Sequence, residues 1–147
     1  FANHKVTGAT SWTWSSTKYI KKNNVYKARV KAFNADGEVI ATSPYMYLVP
    51  TYSTKTNATK VTPYENAITL KMGTEESAEA LSTQTKYSSS KKLLSVSGVR
   101  TVRYQSADTS VVKVLDGNEI TAVGKGVAKV YAISLSGAWA VIDVEVL

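Results

Sequence analysis

The sequence lacks cysteine, and its 147 residues include one histidine, His4, and three prolines. Without cysteine there is no disulfide framework, and neither a Cys/His catalytic pair nor a zinc site of the usual Cys/His type can be built. No apolar run approaches the ~20 residues that cross a bilayer as a helix. These absences predict a chain without metal, cofactor or membrane span, stabilised by its core alone.

The first residues, FANHKVTG, include neither an initiator methionine nor a signal-type apolar segment. We therefore expect the chain to be a piece of a longer precursor. The absence of cysteine fits an intracellular protein or a bacterial surface module and does not decide between them.

The charge is positive and unevenly distributed. The net charge is +7, and residues 1–50 hold seven of the 18 basic residues but only two of the 11 acidic ones. Within VYKARVKAF, Lys27, Arg29 and Lys31 alternate with apolar residues. Such a stripe binds an anionic polymer such as a teichoic acid, or it keeps an exposed strand face soluble and unpaired, and we favour the second interpretation.

Alternation of apolar and polar residues, the pattern of half-buried strands, dominates the sequence. In residues 25–49 it predicts a strand, a turn at Asp36-Gly37 and a returning strand. The first strand is expected to bury Tyr26, Ala28, Val30 and Ala32. Residues 51–56 are polar and have no apolar period, which predicts a linker between two domains.

The rest of the chain also has the pattern of strands. From Val99 onward, five short alternating runs are separated by SAD, DGN, GKG and LSG turns, which predicts an all-β antiparallel sandwich. Residues 74–98 are ambiguous, because TEESAEAL fits either a short helix or a polar strand and a Ser-rich stretch follows. Two of the carboxylates of Glu75, Glu76 and Glu79 could act as an acid/base pair only if they line a cleft. We favour the alternative that this segment is exposed to solvent.

Residues 57–147 resemble the group 2 bacterial immunoglobulin-like domain. The resemblance rests on S-x-D-x-S-V-x-x-V, a glycine turn, I-x-A-x-G-x-G and a V-x-V-x-V finish. The matching positions are Ser106, Asp108, Ser110, Val111, Val114, Gly117, Ile120, Ala122, Gly124, Gly126 and Ala132. It implies an immunoglobulin-like β-sandwich in which Glu76 stands near an expected core position, so that this region is rearranged or its carboxylates face outward.

Residues 1–50 resemble the second half of a fibronectin type III domain. Ile20 and Tyr26 have the spacing of the tyrosine corner, in which a phenol ties the chain to backbone, whereas Lys22 stands where such domains commonly have proline. Because a complete domain is about twice as long, strands A to D are missing. The resemblance therefore implies either that something else covers the exposed sheet or that the chain is cut inside the domain.

The segment Gly124-Lys125-Gly126 is either a phosphate-binding loop or a turn between strands. A phosphate loop needs backbone N–H groups at the start of a helix, but VAKVYA alternates as a strand. We therefore expect a tight turn with positive φ at both glycines and Lys125 exposed at its tip. Gly117 is expected in a hairpin turn with Asp116.

Two further patterns have alternatives. Ser-x-x-Lys spacings occur at Ser15 to Lys18 and Ser88 to Lys91, but the companion elements of serine enzymes with this motif are absent. Two pairs of aromatic residues, each two positions apart, form either a platform for stacking sugars or part of the core, and the core is favoured. These pairs are Trp12 with Trp14 and Tyr45 with Tyr47.

The combined expectation is a non-catalytic spacer and adhesion module of a secreted or cell-surface protein, from a Gram-positive bacterium. Expected partners are other domains of the same precursor and a host protein, glycan or anionic wall polymer, but not nucleic acid. The expected ligand surface consists of Trp12, Trp14, Tyr45, Tyr47, Lys27, Arg29 and Lys31. The alternatives are a structural domain of a phage virion and a carbohydrate-binding module of a larger glycosidase.

Overall fold

The computed structural model describes residues 4–9, 13, 19–87 and 91–147. Within these ranges the chain is essentially all-β, as predicted, and its helical content is a single 3-10 turn, Glu75–Ser77. The strands are β1 (Tyr26–Ala28), β2 (Lys31–Phe33), β3 (Val39–Thr42), β4 (Met46–Leu48), β5 (Lys55–Thr56), β6 (Ala58–Pro63), β7 (Ala67–Leu70), β8 (Ala78–Ala80), β9 (Thr83–Tyr87), β10 (Lys92–Leu93), β11 (Val102–Ser106), β12 (Val112–Val114), β13 (Glu119–Ala122), β14 (Gly126–Ser134) and β15 (Trp139–Val146).

Residues 57–147 contain two larger sheets that share one core, an arrangement consistent with a β-sandwich, and we call this part the sandwich. One sheet has the strand order β11-β14-β15-β7, and the other has the order β12-β13-β8. All neighbours are antiparallel except β15 and β7, which pair in parallel. Strands β6 and β9 form a further antiparallel pair.

The main core lies between these sheets and follows the alternation of the strands. In β14, Ala128 and Val130 are buried, whereas Val127 and Lys129, which alternate with them, are exposed. Val130 meets Val112 and Ile120 of the other sheet, and all three have an exposed fraction of 0%. Burying one such side chain contributes about 1.5–3 kcal/mol relative to leaving it in water.

A second core cluster joins the N-terminal residues to the sandwich. It consists of Val49, Leu94 and Leu135, with Tyr47 packed against it. The Tyr47 amide donates to the carbonyl of Leu135 at 2.8 Å. The Asn57 side chain accepts from the Val49 amide at 2.9 Å and donates to the Val49 carbonyl at 2.8 Å. The predicted linker 51–56 thus folds as a turn that leads into β5, which pairs in parallel with β10; its role as a domain boundary remains a prediction.

Residues 26–48 form a bent two-stranded ribbon, which we call the ribbon. Strands β1 and β4 pair at its base, and β2 and β3 pair beyond them. The ladder is interrupted next to Pro44, which has no N–H to donate. There the Val30 amide donates to the Ser43 hydroxyl at 2.9 Å, and the Ser43 amide donates to the Val30 carbonyl at 2.9 Å.

The turn at the end of the ribbon is present as predicted. Gly37 has a φ of 85°, and its amide donates to the Asn34 carbonyl at 3.2 Å. The expected burial of the first strand is only half right. Tyr26 and Ala28 are half-buried, but Val30 and Ala32 are exposed, because no second layer among the described residues covers the ribbon beyond its base.

The ambiguous segment contains both predicted alternatives in sequence, since the 3-10 turn leads directly into β8. Thr74 caps the turn by accepting from the Glu76 amide at 3.1 Å. Glu76 is exposed and pairs with Lys71 at 2.6 Å. Glu75 and Glu79 are exposed as well, so the acidic side chains face outward, which was one of the two expected arrangements.

The glycine turns are confirmed at two positions and corrected at a third. Gly117 and Gly126 have φ values of 109° and 141°, and Lys125 is exposed between β13 and β14. Gly124 does not have the expected positive φ. Glycine is needed at this position for lack of space, because an added Cβ atom would lie 2.7 Å from the Ser110 carbonyl oxygen.

Candidate functional site

The ribbon brings together the basic and aromatic residues that the sequence singled out. Lys27 lies opposite Tyr47 in the β1–β4 pair. Its ammonium nitrogen is 3.8 Å from the centre of the Tyr45 ring and 5.7 Å from that of Tyr47. The guanidinium carbon of Arg29 is 5.0 Å from the Tyr45 ring. We call these four residues the aromatic–basic cluster.

Cation–π contacts hold this cluster together. Each contributes about 0.5–1 kcal/mol at an exposed position. Neither Lys27 nor Arg29 forms an ion pair within the part of the chain that the structure describes. Both positive charges therefore remain available to an anionic surface.

The two tyrosines do not form a bare platform for sugars. Tyr47 is half-buried and packs against the second core cluster, as expected if it is part of the core. Tyr45 is 39% exposed, but the Lys27 ammonium lies over its ring. A sugar that stacked on that face would have to displace the ammonium.

Of the other expected surface residues, Lys31 lies outside the cluster. It is exposed and pairs with Thr42 in the β2–β3 part of the ribbon. Trp12 and Trp14 lie outside the described residues.

The outer half of the ribbon, residues 30–43, exposes large apolar side chains, and we call it the ribbon tip. Val30 is 63% exposed and Ile40 is 65% exposed, while Phe33 and Val39 are each 48% exposed. Single exposed apolar residues are ordinary, but several on one small element mark an interaction surface. An isolated two-stranded ribbon is also only marginally stable in water, so a partner that covers the tip would stabilise it.

A corner at the base of the ribbon fixes where the ribbon leaves the chain. The Tyr26 phenol donates to the Tyr19 carbonyl at 2.9 Å and accepts from the Lys21 amide at 2.6 Å. The tie of this phenol to backbone is therefore present, as the spacing predicted. It anchors the first residue of β1, the strand that carries Lys27 and is followed directly by Arg29.

The turn between β11 and β12 explains the Ser-x-Asp-x-Ser spacing. The Asp108 carboxylate accepts from the Ser110 hydroxyl at 2.6 Å and from the Ser110 amide at 2.9 Å. These bonds lower the pKa of the Asp108 carboxyl below its ordinary value. The Ser106 hydroxyl accepts from the Asp108 amide at 3.1 Å. These residues thus shape a turn, and they bring the Ser110 carbonyl against Gly124.

The Ser-x-x-Lys spacings fall largely outside the described residues. Ser15, Lys18 and Ser88 lie outside those residues, and the Lys91 ammonium donates to the Thr51 carbonyl at 2.8 Å. Over the same part of the chain, no group of three or more His, Asp or Glu side chains is placed to hold a metal ion. No helix there is long and apolar enough to span a membrane.

Comparisons with known proteins give no family. No family model matches the sequence, and no curated protein is significantly similar to it.

Sequence reasoning named the members of the aromatic–basic cluster but not their contact. The basic stripe and the tyrosine pair belong to different strands, and the register that sets Lys27 opposite Tyr47 is fixed by the length of the intervening turn. The Asp36-Gly37 turn signal, together with alternation on both sides, was the available clue.

Proposed function

We propose that this chain is a non-catalytic spacer and adhesion module of a secreted or cell-surface bacterial protein, in which the sandwich is the rigid part and the ribbon binds. The observation that carries the proposal is the contrast in burial within one polypeptide. The sandwich has a continuous core, whereas the ribbon tip presents four large apolar side chains to solvent. Binding to a partner would remove that apolar area from water.

The resemblances support the same assignment. A group 2 immunoglobulin-like domain would supply a spacer, and the Ser106-Asp108-Ser110 turn packed against Gly124 gives its motif a structural reason. A half fibronectin type III domain would supply the ribbon and the Tyr26 corner. In that case the missing strands would cover the side of the ribbon tip that continues from Tyr26 and Ala28 to Val30.

The partner that fits the ribbon best is a protein surface with an apolar centre and acidic surroundings. The apolar centre would cover Phe33 and Ile40, and acidic groups would face Lys27 and Arg29. Within this proposal, the partner is another domain of the precursor or a host protein. A carbohydrate-binding role is less well supported, because Lys27 occupies a face of the Tyr45 ring.

Binding assays on two matched variants test this proposal. The probes are purified host matrix proteins and isolated Gram-positive cell walls. The ribbon variant is Phe33→Ser with Ile40→Ser. The control is Val127→Ser with Trp139→Ser, because these sandwich residues are 74% and 62% exposed.

We expect at least one probe to bind the intact chain and the control equally, and to bind the ribbon variant at least tenfold more weakly. A tenfold loss corresponds to about 1.4 kcal/mol. Unchanged circular dichroism and unfolding midpoints would show that the variants fold. Failure of every probe to bind, or an equal loss in both variants, would overturn the proposal.

A further inference from the structure

A second surface, away from the ribbon, carries three lysine side chains. It is an open cleft of about 540 Å³ lined by Lys22, Tyr52, Ser53, Thr54, Lys91 and Lys92. We call it the lysine cleft. Its residues come from the corner before β1, the turn before β5 and the start of β10, so only the fold brings them together.

The floor of the cleft is fixed by an asparagine in an unusual conformation. Asn23 has a φ of 64°, in the left-handed region that asparagine tolerates better than most residues. Its amide donates to the Ser53 hydroxyl at 3.1 Å. Its side-chain oxygen accepts from the Thr54 amide at 2.8 Å and from the Thr54 hydroxyl at 3.0 Å. The floor is therefore preorganised before any ligand arrives.

The remaining polar groups of the lining are also positioned. The Tyr52 phenol donates to the Ile20 carbonyl at 2.8 Å, and the Lys91 ammonium donates to the Thr51 carbonyl at 2.8 Å. Lys22 and Lys92 are exposed and make no side-chain hydrogen bond within the described ranges. Their ammonium groups, with two further protons of Lys91, are the donors that remain for a ligand.

The charge of the lysine cleft is not compensated. No carboxylate lies in its lining. The ion pairs among the described residues are Lys71 with Glu76 and Lys129 with Asp143, both elsewhere. Three positive charges around one depression focus a positive potential there and raise the local concentration of anions.

We propose that the lysine cleft binds a multiply charged oxyanion of the phosphate type. Ammonium groups recognise phosphate as point charges and need no planar fork geometry, which suits three lysines on flexible stems. A group with two or more negative charges matches three cations better than a single carboxylate does. The site is independent of the ribbon, so its failure and the failure of the proposed function are separate results.

The test uses the intact chain and sodium pyrophosphate at low ionic strength, followed by amide chemical shifts and by calorimetry. The site variant is Lys22→Gln with Lys92→Gln. The control is Lys113→Gln with Lys125→Gln, which removes the same charge from exposed positions on the sandwich. All four side chains are exposed, so both variants are expected to fold.

We expect pyrophosphate to shift the amides of Ser53, Thr54 and Lys92, and its affinity to fall at least tenfold in the site variant but less than twofold in the control. No binding, or an equal fall in both variants, would overturn the proposal. A glycerol phosphate oligomer forms the second arm. Binding tighter than that of pyrophosphate would assign the site to a phosphodiester polymer, and weaker binding would assign it to a small phosphate.

Discussion

Strand β14 of the sandwich and the first strand region of the ribbon alternate in the same way but differ in what covers them. In β14 every second residue from Ala128 to Ser134 is buried. In the ribbon the corresponding side becomes exposed from Val30 onward. Alternation divides side chains between two faces of a strand, whereas a second layer decides whether either face is buried. The ribbon therefore presents a core-like face to solvent.

The largest expected effect is on stability, in a comparison of two isoleucines that differ mainly in whether a second layer buries them. Ile120 has an exposed fraction of 0% in β13, and Ile40 has one of 65% in β3. Ile120→Ala should lower the free energy of unfolding by about 2–5 kcal/mol, because it removes buried contacts and leaves a cavity. Ile40→Ala should change it by no more than about 0.5 kcal/mol. Urea denaturation of both variants measures the difference, and equal losses would show that the ribbon tip is covered within the chain.

A smaller effect separates two glycines that the chain uses for different reasons. Gly37 at the end of the ribbon has a positive φ and open space around it, and Gly124 in the sandwich has neither. Because asparagine tolerates the left-handed region, Gly37→Asn should be nearly neutral. Gly124→Asn should cost about 1–3 kcal/mol through overpacking against the Ser110 carbonyl. Thermal unfolding of the pair checks this, and a neutral Gly124→Asn would show that the close approach relaxes freely.

The smallest effect concerns the pH dependence of the sandwich turn. Hydrogen bonds from Ser110 lower the pKa of the Asp108 carboxyl below the ordinary 3.8. The ionised Asp108 therefore stabilises the folded chain fully at pH values above 3.8. The contribution is lost as the pH falls through the lowered value. Ser110→Ala should move the pKa of Asp108 upward, towards 3.8. Carbon-detected NMR titration of the carboxyl group measures it, and an unchanged pKa would contradict the assigned cause.

The parts of the fold that the sequence predicted well depend on local signals. Alternation predicts the strands of the sandwich, and Asp-Gly pairs predict the turns at Gly37 and Gly117. The resemblance to a fibronectin type III domain, through the spacing of Ile20 and Tyr26, implies the tie of the phenol to backbone. Each of these features is determined by residues that are close in the sequence.

The parts that the sequence did not predict depend on distant residues. Gly124 was expected to need a positive φ. The actual reason for glycine, the nearby Ser110 carbonyl, lies in a different turn and cannot be read from the residues next to Gly124. Val30 was expected to be buried because it lies on the apolar side of an alternating segment. Alternation does not show whether a second layer covers that side. The lysine cleft was not foreseen, since Lys22 and Lys91 are far apart in the chain and their surroundings are joined by tertiary hydrogen bonds from Asn23, Tyr52 and Lys91.

The close approach at Gly124 also determines which second mutations can restore a damaged chain. The atom nearest to an added Cβ is the carbonyl oxygen of Ser110, and every amino acid carries that oxygen. A smaller side chain at position 110 would therefore create no room, unlike the usual exchange of a large residue for a small one across a core. Suppressors of a bulky residue at 124 are expected to change the backbone path of the turn, by insertion or deletion, rather than the identity of its neighbour.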